Sequence, residues 1–109
     1  MPEQRQLPLD LHLEMFLLHQ RASHHTESTI ELYQRDLGRF AEYLKVGGLS
    51  SAVDITAHHI RQYMVQMEDR GLAATTIHIS ARCIKTWCNF LVNEETLSRS
   101  PMRSVKMPN

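Results

Sequence analysis

The chain has 109 residues, is 42% hydrophobic and 22% charged, and carries no net charge at neutral pH. That size and balance fit one globular domain with a modest core and exclude a disordered chain. No apolar run approaches the ~20 residues that span a bilayer, and the polar start MPEQRQLPLD lacks a signal-peptide core, so the expectation is a soluble cytoplasmic protein with no membrane partner.

Helical periodicity dominates and strand alternation is nearly absent, which predicts an all-α fold. Residues 1–8 read as a flexible lead. A first helix is expected from Leu9 or Asp10 to about Gln20, with Leu11, Met15 and Leu18 as its main apolar stripe and Leu13, Phe16 and Leu17 broadening it. The polar run Ser23–Thr26 breaks it. Thr26 is a fitting N-cap for a second helix, and Glu27 suits the positive helix start. Ile30, Tyr33, Leu37, Phe40, Ala41 and Leu44 make its inner stripe, and Gly47-Gly48 end it. Thr56 caps a third helix with Ile60, Met64 and Met67 inward, and Gly71 stops it. A fourth helix runs from about Thr75 to Val92. Residues 94–109, with two prolines and a basic bias, read as a linker with room for one short turn. Four helices joined by short connections imply a compact bundle over residues 9–93.

The fourth helix carries the functional signal. At about 100° per residue, Ile77, Ala81, Ile84, Trp87, Cys88 and Leu91, extended by Cys83, Phe90 and Ile79, give an apolar arc about 200° wide, far beyond a one-sided stripe. Such a helix is wedged among its neighbours and is expected to be the most buried of the four. The remaining arc holds Thr75, His78, Arg82, Lys85 and Asn89. Each can donate a hydrogen bond and none is acidic, whereas a solvated face ordinarily mixes signs. Thr75 and Thr76 at the helix start add hydroxyls beside free backbone N–H groups, a place where phosphates bind. Ser28, Arg35 and Arg39 share one side of the second helix, but Glu31 and Glu42 lie close by, and Glu31 can pair with Arg35 one turn away. A merely solvated face is the competing reading for both helices.

Charge distribution leans the same way. Residues 1–70 hold 7 Lys/Arg against 10 Asp/Glu, and residues 71–109 hold 5 against 2. Other chemistries find little support. Cys83 and Cys88 face different ways on one helix and read as reduced, packed thiols. The histidine neighbours His24-His25 and His58-His59 point apart, and no His pair sits one turn apart, so no metal site and no cofactor are expected. No Gly-rich phosphate loop or nucleophile motif occurs.

The order of residues resembles a known family. The run Thr26-Glu27-Ser28-Thr29-Ile30-Glu31-Leu32-Tyr33-Gln34-Arg35-Asp36-Leu37-Gly38-Arg39-Phe40 is similar to the S/T-x-x-T-x-x-x-Y-x-x-D-L-x-x-F opening of the second helix in the N-terminal core-binding domain of tyrosine recombinases, the phage-integrase family. Asp54-Ile55-Thr56 with Ile60-Arg61-Gln62-Tyr63 resembles its third helix. Gly71-Leu72-Ala73-Ala74-Thr75-Thr76-Ile77, with Trp87 and Phe90-Leu91, resembles its fourth. Ser100-Pro101 with Val105-Lys106-Met107-Pro108 resembles its N-P-x-x-x-V-x-x-P linker, with serine in place of asparagine.

The resemblance implies a SAM-like four-helix bundle that grips duplex DNA at a recombination half-site, with the second and fourth helices facing the major groove. Arg82 and Lys85 would be phosphate or base-edge contacts. Thr26, Ser28, Thr29, Thr75 and Thr76 would offer hydroxyls to phosphates, and His78 and Arg35 are secondary contacts. Implied partners are double-stranded DNA, a C-terminal catalytic domain of the same parent beyond the linker, and other recombinase protomers. The family's nucleophilic tyrosine and its arginine, lysine and histidine companions belong to that catalytic domain. Tyr33, Tyr43 and Tyr63 read as packing residues, so this chain is expected to bind without cleaving. From another class, a helical protein-interaction bundle without DNA binding remains open.

Overall fold

The computed structural model describes residues 7–107, which form four α-helices and two 3₁₀ turns with no strand among them. The expected flexible lead, over its first six residues, and Pro108 of the linker motif lie outside the described residues. The helices are α1 (Leu9–Ala22), α2 (Glu27–Val46), α3 (Ala57–Asp69) and α4 (Ala74–Asn93); the turns are Ala52–Asp54 and Pro101–Ser104.

Helix ends follow local chemistry. Thr26 caps α2, its Oγ1 accepting from the Thr29 N–H at 3.2 Å. Thr56 and His59 form a reciprocal capping box on α3: the His59 N–H donates to Thr56 Oγ1 at 3.3 Å, and the Thr56 N–H donates to His59 Nδ1 at 3.0 Å. His59 is thereby a helix-start residue with its Nδ1 occupied. Gly71 takes a left-handed φ of +82°, and the following Leu72 N–H reaches back to the Met67 carbonyl at 3.2 Å, closing α3.

α4 is the central helix, as its wide apolar arc implies. It contributes nine buried residues, against six each from α1 and α2 and three from α3. Trp87, Cys88 and Leu91 are fully enclosed. Phe40 of α2 meets Trp87 edge-on at 6.4 Å, and Phe16 of α1 meets Phe90 at 5.4 Å. The arc is narrower at one edge than expected, because Ile79 is exposed.

Two inner faces differ from the periodicity reading. On α1 the buried residues are Leu9, His12, Leu13, Phe16, Leu17 and Gln20, while Leu11 and Leu18 face out and Met15 is half-buried. The helix is apolar nearly all round, so periodicity could not choose a face; Phe16, pinned between Tyr33 and Phe90, does. The buried positions of His12 and Gln20 disguise the true stripe. On α3, Tyr63 rather than Met64 joins Ile60 and Met67 in the core, because its ring packs at a tilt against Phe40 and Tyr43, with centroids 5.1 and 5.0 Å away.

The segment after α4 is docked. Leu97, Met102 and Val105 are buried in the common core, and Arg61 of α3 donates from Nη2 to the Ser104 carbonyl at 2.7 Å. The turn at Pro101–Ser104 is the short helical turn anticipated there, capped by Ser100 Oγ accepting from the Met102 N–H. Its position beside α3 and α4 sets one flank of the candidate site.

Candidate nucleic-acid interface

The α4 outer arc is where sequence geometry placed it. Thr75, Arg82, Lys85 and Asn89 are exposed and His78 is half-buried. Nine buried residues on the opposite side fix the rotation of the helix about its axis, so these side chains leave the surface from a rigid base.

α2 lies alongside α4 in antiparallel sense. Asp36 bonds to Ser80, Arg35 acts on Cys83, and Arg39, Tyr43 and Val46 border a cavity with Leu72, Thr76 and Ser80. The linchpin is Asp36, a buried carboxylate whose Oδ1 accepts from Ser80 Oγ at 3.1 Å while Oδ2 lies 3.8 Å from Arg35 Nη2. Burying a carboxylate without a partner is costly; here it is satisfied by one residue from each helix, which sets their register. Neither Asp36 nor Ser80 carried a functional signal in the sequence beyond a motif match.

Arg35, next to Asp36 on α2, and Arg82, two residues after Ser80 on α4, flank that bridge. Burial pushes the Cys83 thiol up to about 11, Asp36 pushes it the same way, and the charges of Arg82 and Arg35 oppose both. Both guanidiniums therefore lie within electrostatic reach of one buried sulfur, astride the α2–α4 seam. On the other flank of α4, Lys85 and Asn89 border a cavity of about 250 Å³ with Ser100, Met102, Arg103 and Val105. Arg103, which the sequence reading did not single out, is thus a cationic neighbour of Lys85. Only the docking of the last turn brings it there.

The hydroxyl candidates separate into two groups. Thr26, Ser28 and Thr29 stand at the start of α2, where Thr26 Oγ1 donates to Thr29 Oγ1 at 2.8 Å and lies 3.3 Å from Ser28 Oγ. Thr75 and Thr76 stand at the start of α4, whose N-cap, Ala73, supplies no side-chain acceptor. Because the helices are antiparallel, the two groups occupy opposite ends of the pair. The structure does not unite them into one cluster.

Tyr33 and Tyr43 are half-buried and Tyr63 is buried, each in ring contact with other aromatics. Cys83 and Cys88 are free and buried, and burial pushes Cys88 up to about 12, opposed by a hydrogen bond to Ser100. Among the described residues, no three His, Cys, Asp or Glu side chains gather as metal ligands, and no helix is long and apolar enough to cross a membrane.

The phage integrase N-terminal SAM-like domain family matches residues 9–95, the whole of the four-helix unit. The chain belongs to that family. Among curated proteins it is similar to the tyrosine recombinase XerD of Rickettsia conorii (strain ATCC VR-613 / Malish 7), 31% identical over 96 residues that cover 88% of this chain and 30% of the relative. Similarity extends to the tyrosine recombinase XerC of Actinobacillus pleuropneumoniae serotype 7 (strain AP76), 28% identical over 91 residues, 84% of this chain and 29% of the relative. It extends also to XerC of Pseudomonas syringae pv. syringae (strain B728a), 23% identical over 101 residues, 92% of this chain and 34% of the relative. The chain therefore spans about a third of the length of these relatives, and what it matches is their tyrosine-recombinase N-terminal domain. No solved structure matches the chain.

Proposed function

We propose that this domain grips duplex DNA at a recombination half-site and positions it for a catalytic domain of the same parent protein, without cleaving DNA itself. The observation that carries this reading is the acid-free outer arc of α4, flanked by Arg35 on one side and Arg103 on the other. Arg82 and Lys85 are its central contacts. Arg35, His78, Thr75 and Thr76 extend the contact along the α2–α4 face, with Thr26, Ser28 and Thr29 at its far end. Residues 94–109 link onward to the catalytic domain, residues 1–8 lead in, and the setting is the cytoplasm, with other recombinase protomers on the same DNA. Phosphate contacts set affinity and orientation, while base-edge contacts add sequence preference.

The test is a duplex titration at several salt concentrations. R82A/K85A is expected to keep the far-ultraviolet circular dichroism of the wild type and to bind more weakly, with the log–log salt slope flattened by about 0.9 for each phosphate no longer neutralised. Equal affinity and slope for both proteins at low salt would overturn the assignment.

A second reading rests on a different surface. Leu11 and Leu18 are exposed on α1 with half-buried Met15 between them, a stripe that favours a protein-interaction bundle. Self-association or partner capture abolished in L18E, with no duplex binding by the wild type, would favour it.

A further inference from the structure

A cavity of about 600 Å³ opens where α2, α3 and the start of α4 meet, bordered by Arg39, Tyr63, Gln66, Arg70, Thr76 and Ser80. Tyr63 is only 5% exposed. Its ring packs on Phe40 and Tyr43, yet its hydroxyl has no hydrogen-bond partner among the described residues. Burial pushes this phenol up and Asp36 reinforces the shift, while Arg39 and Arg70 oppose it. All three charged groups border the cavity, and Tyr63 lines it with them.

The charges around it are unevenly spent. Asp36 is taken by Ser80 and Arg35, and Glu42, also on the rim, lies 3.6 Å from Lys45. Among the described residues neither Arg39 nor Arg70 has an ion-pair partner. Thr76 belongs to the first turn of α4, the one long helix of this trio whose start lacks a side-chain cap, so its leading N–H groups point outward unsatisfied.

We propose that this cavity is a seat for a single phosphate group, held by the Arg39 and Arg70 guanidiniums, the Tyr63 hydroxyl and the open first turn of α4. Each donor type suits a phosphate oxygen, and the two arginines supply charge from separate places, Arg39 from α2 and Arg70 from the C-cap of α3. The inference deepens the duplex-binding reading and rests on it for the source of the phosphate: a duplex backbone phosphate at the α4 end of the interface, as opposed to a free phosphate.

Two arms test it. In the first, inorganic pyrophosphate is titrated into ¹⁵N-labelled full chain. Expected are shifts confined to the Thr75 and Thr76 amides and the Arg39 and Arg70 Nε–H groups, abolished in R39Q/R70Q and weakened several-fold in Y63F, with Trp87 fluorescence showing that both variants stay folded. No shifts, shifts spread evenly over all arginines and lysines, or shifts indifferent to R39Q/R70Q overturn the seat, whatever the duplex result. The second arm compares duplex binding by wild type and R39Q/R70Q. A salt slope flattened by about 0.9 assigns the phosphate to the duplex backbone. Duplex binding untouched by the substitution, with the pyrophosphate response intact, supports a seat for a free phosphate. Local pyrophosphate shifts with no duplex binding at all leave the seat standing and remove the duplex reading.

Discussion

Ser80→Ala is the most incisive test of how the α2–α4 face is held. Ser80 is 3% exposed and Asp36 is 8% exposed, and their 3.1 Å hydrogen bond joins residues 44 apart in sequence. Hydrogen bonds to charged groups contribute about 1.5–3 kcal/mol. Alanine recovers roughly 0.5 kcal/mol through better helix propensity. Arg35, more than half exposed at 3.8 Å, is too well screened to compensate fully for the missing bond. The expected net loss is therefore about 1–2.5 kcal/mol, or a fall in Tm of roughly 5–15 °C for a domain of this size. Urea unfolding followed by the emission of Trp87, the sole tryptophan and fully buried, measures it directly. A double-mutant cycle with Asp36→Ala should return a coupling of about 0.5–3 kcal/mol. A Ser80→Ala variant within about 0.5 kcal/mol of wild type, the usual spread of a surface substitution, with zero coupling, would refute the claim that this bridge fixes the helix pair.

Two further outcomes follow from burial and backbone geometry. Cys83 and Cys88, with thiols pushed up to about 11 and about 12 chiefly by burial, should resist iodoacetamide at pH 8 in the native state and react only on unfolding; prompt native alkylation would contradict the packing. Gly38→Ala and Gly71→Ala should act in opposite directions, although an added Cβ meets nothing within 4 Å at either site. Gly38 sits inside α2, so alanine should stabilise by up to about 1 kcal/mol; Gly71, at φ +82°, should lose about 1 kcal/mol, and equal Tm shifts of one sign would refute the distinction.

Caps and stops were the most legible part of the sequence. Thr26, Thr56 and Gly71 act through neighbours a few residues away, so local chemistry suffices to place them. The outer arc of α4 was legible for a related reason: a helix apolar over more than half its circumference leaves one narrow strip for solvent. The inner face of α1 was not, because Leu9, Leu11, Leu13, Met15, Phe16, Leu17 and Leu18 surround the axis and only its neighbours select among them. The cations that flank α4 were partly hidden. Arg39 follows Arg35 by one turn and could be placed on the same face, but Arg70 and Arg103 lie on other elements, and tertiary packing alone brings them close.

Asp36 also poses a question whose answer has a sign. As a carboxylate beside Arg35 it opposes any polyanion on this face; as the bond to Ser80 it keeps Arg35 and Arg82 in register. Asp36→Asn separates the two effects, since an amide oxygen can still accept from Ser80 while the charge is gone. On the duplex-binding reading, removing one negative charge roughly 8 Å from a phosphate changes the interaction by about 0.5 kcal/mol at the dielectric of water, so affinity should rise roughly two-fold. Asp36→Ala removes charge and bond together and should bind more weakly than Asp36→Asn, despite identical net charge. The comparison is made by duplex titration at one fixed low salt concentration, because screening shrinks the charge effect as salt rises. Equal affinities for the two variants would mean that register contributes nothing to the interface. Binding by Asp36→Asn no tighter than by wild type, with an unchanged Tm, would mean that the α2 side of this face does not meet the polyanion.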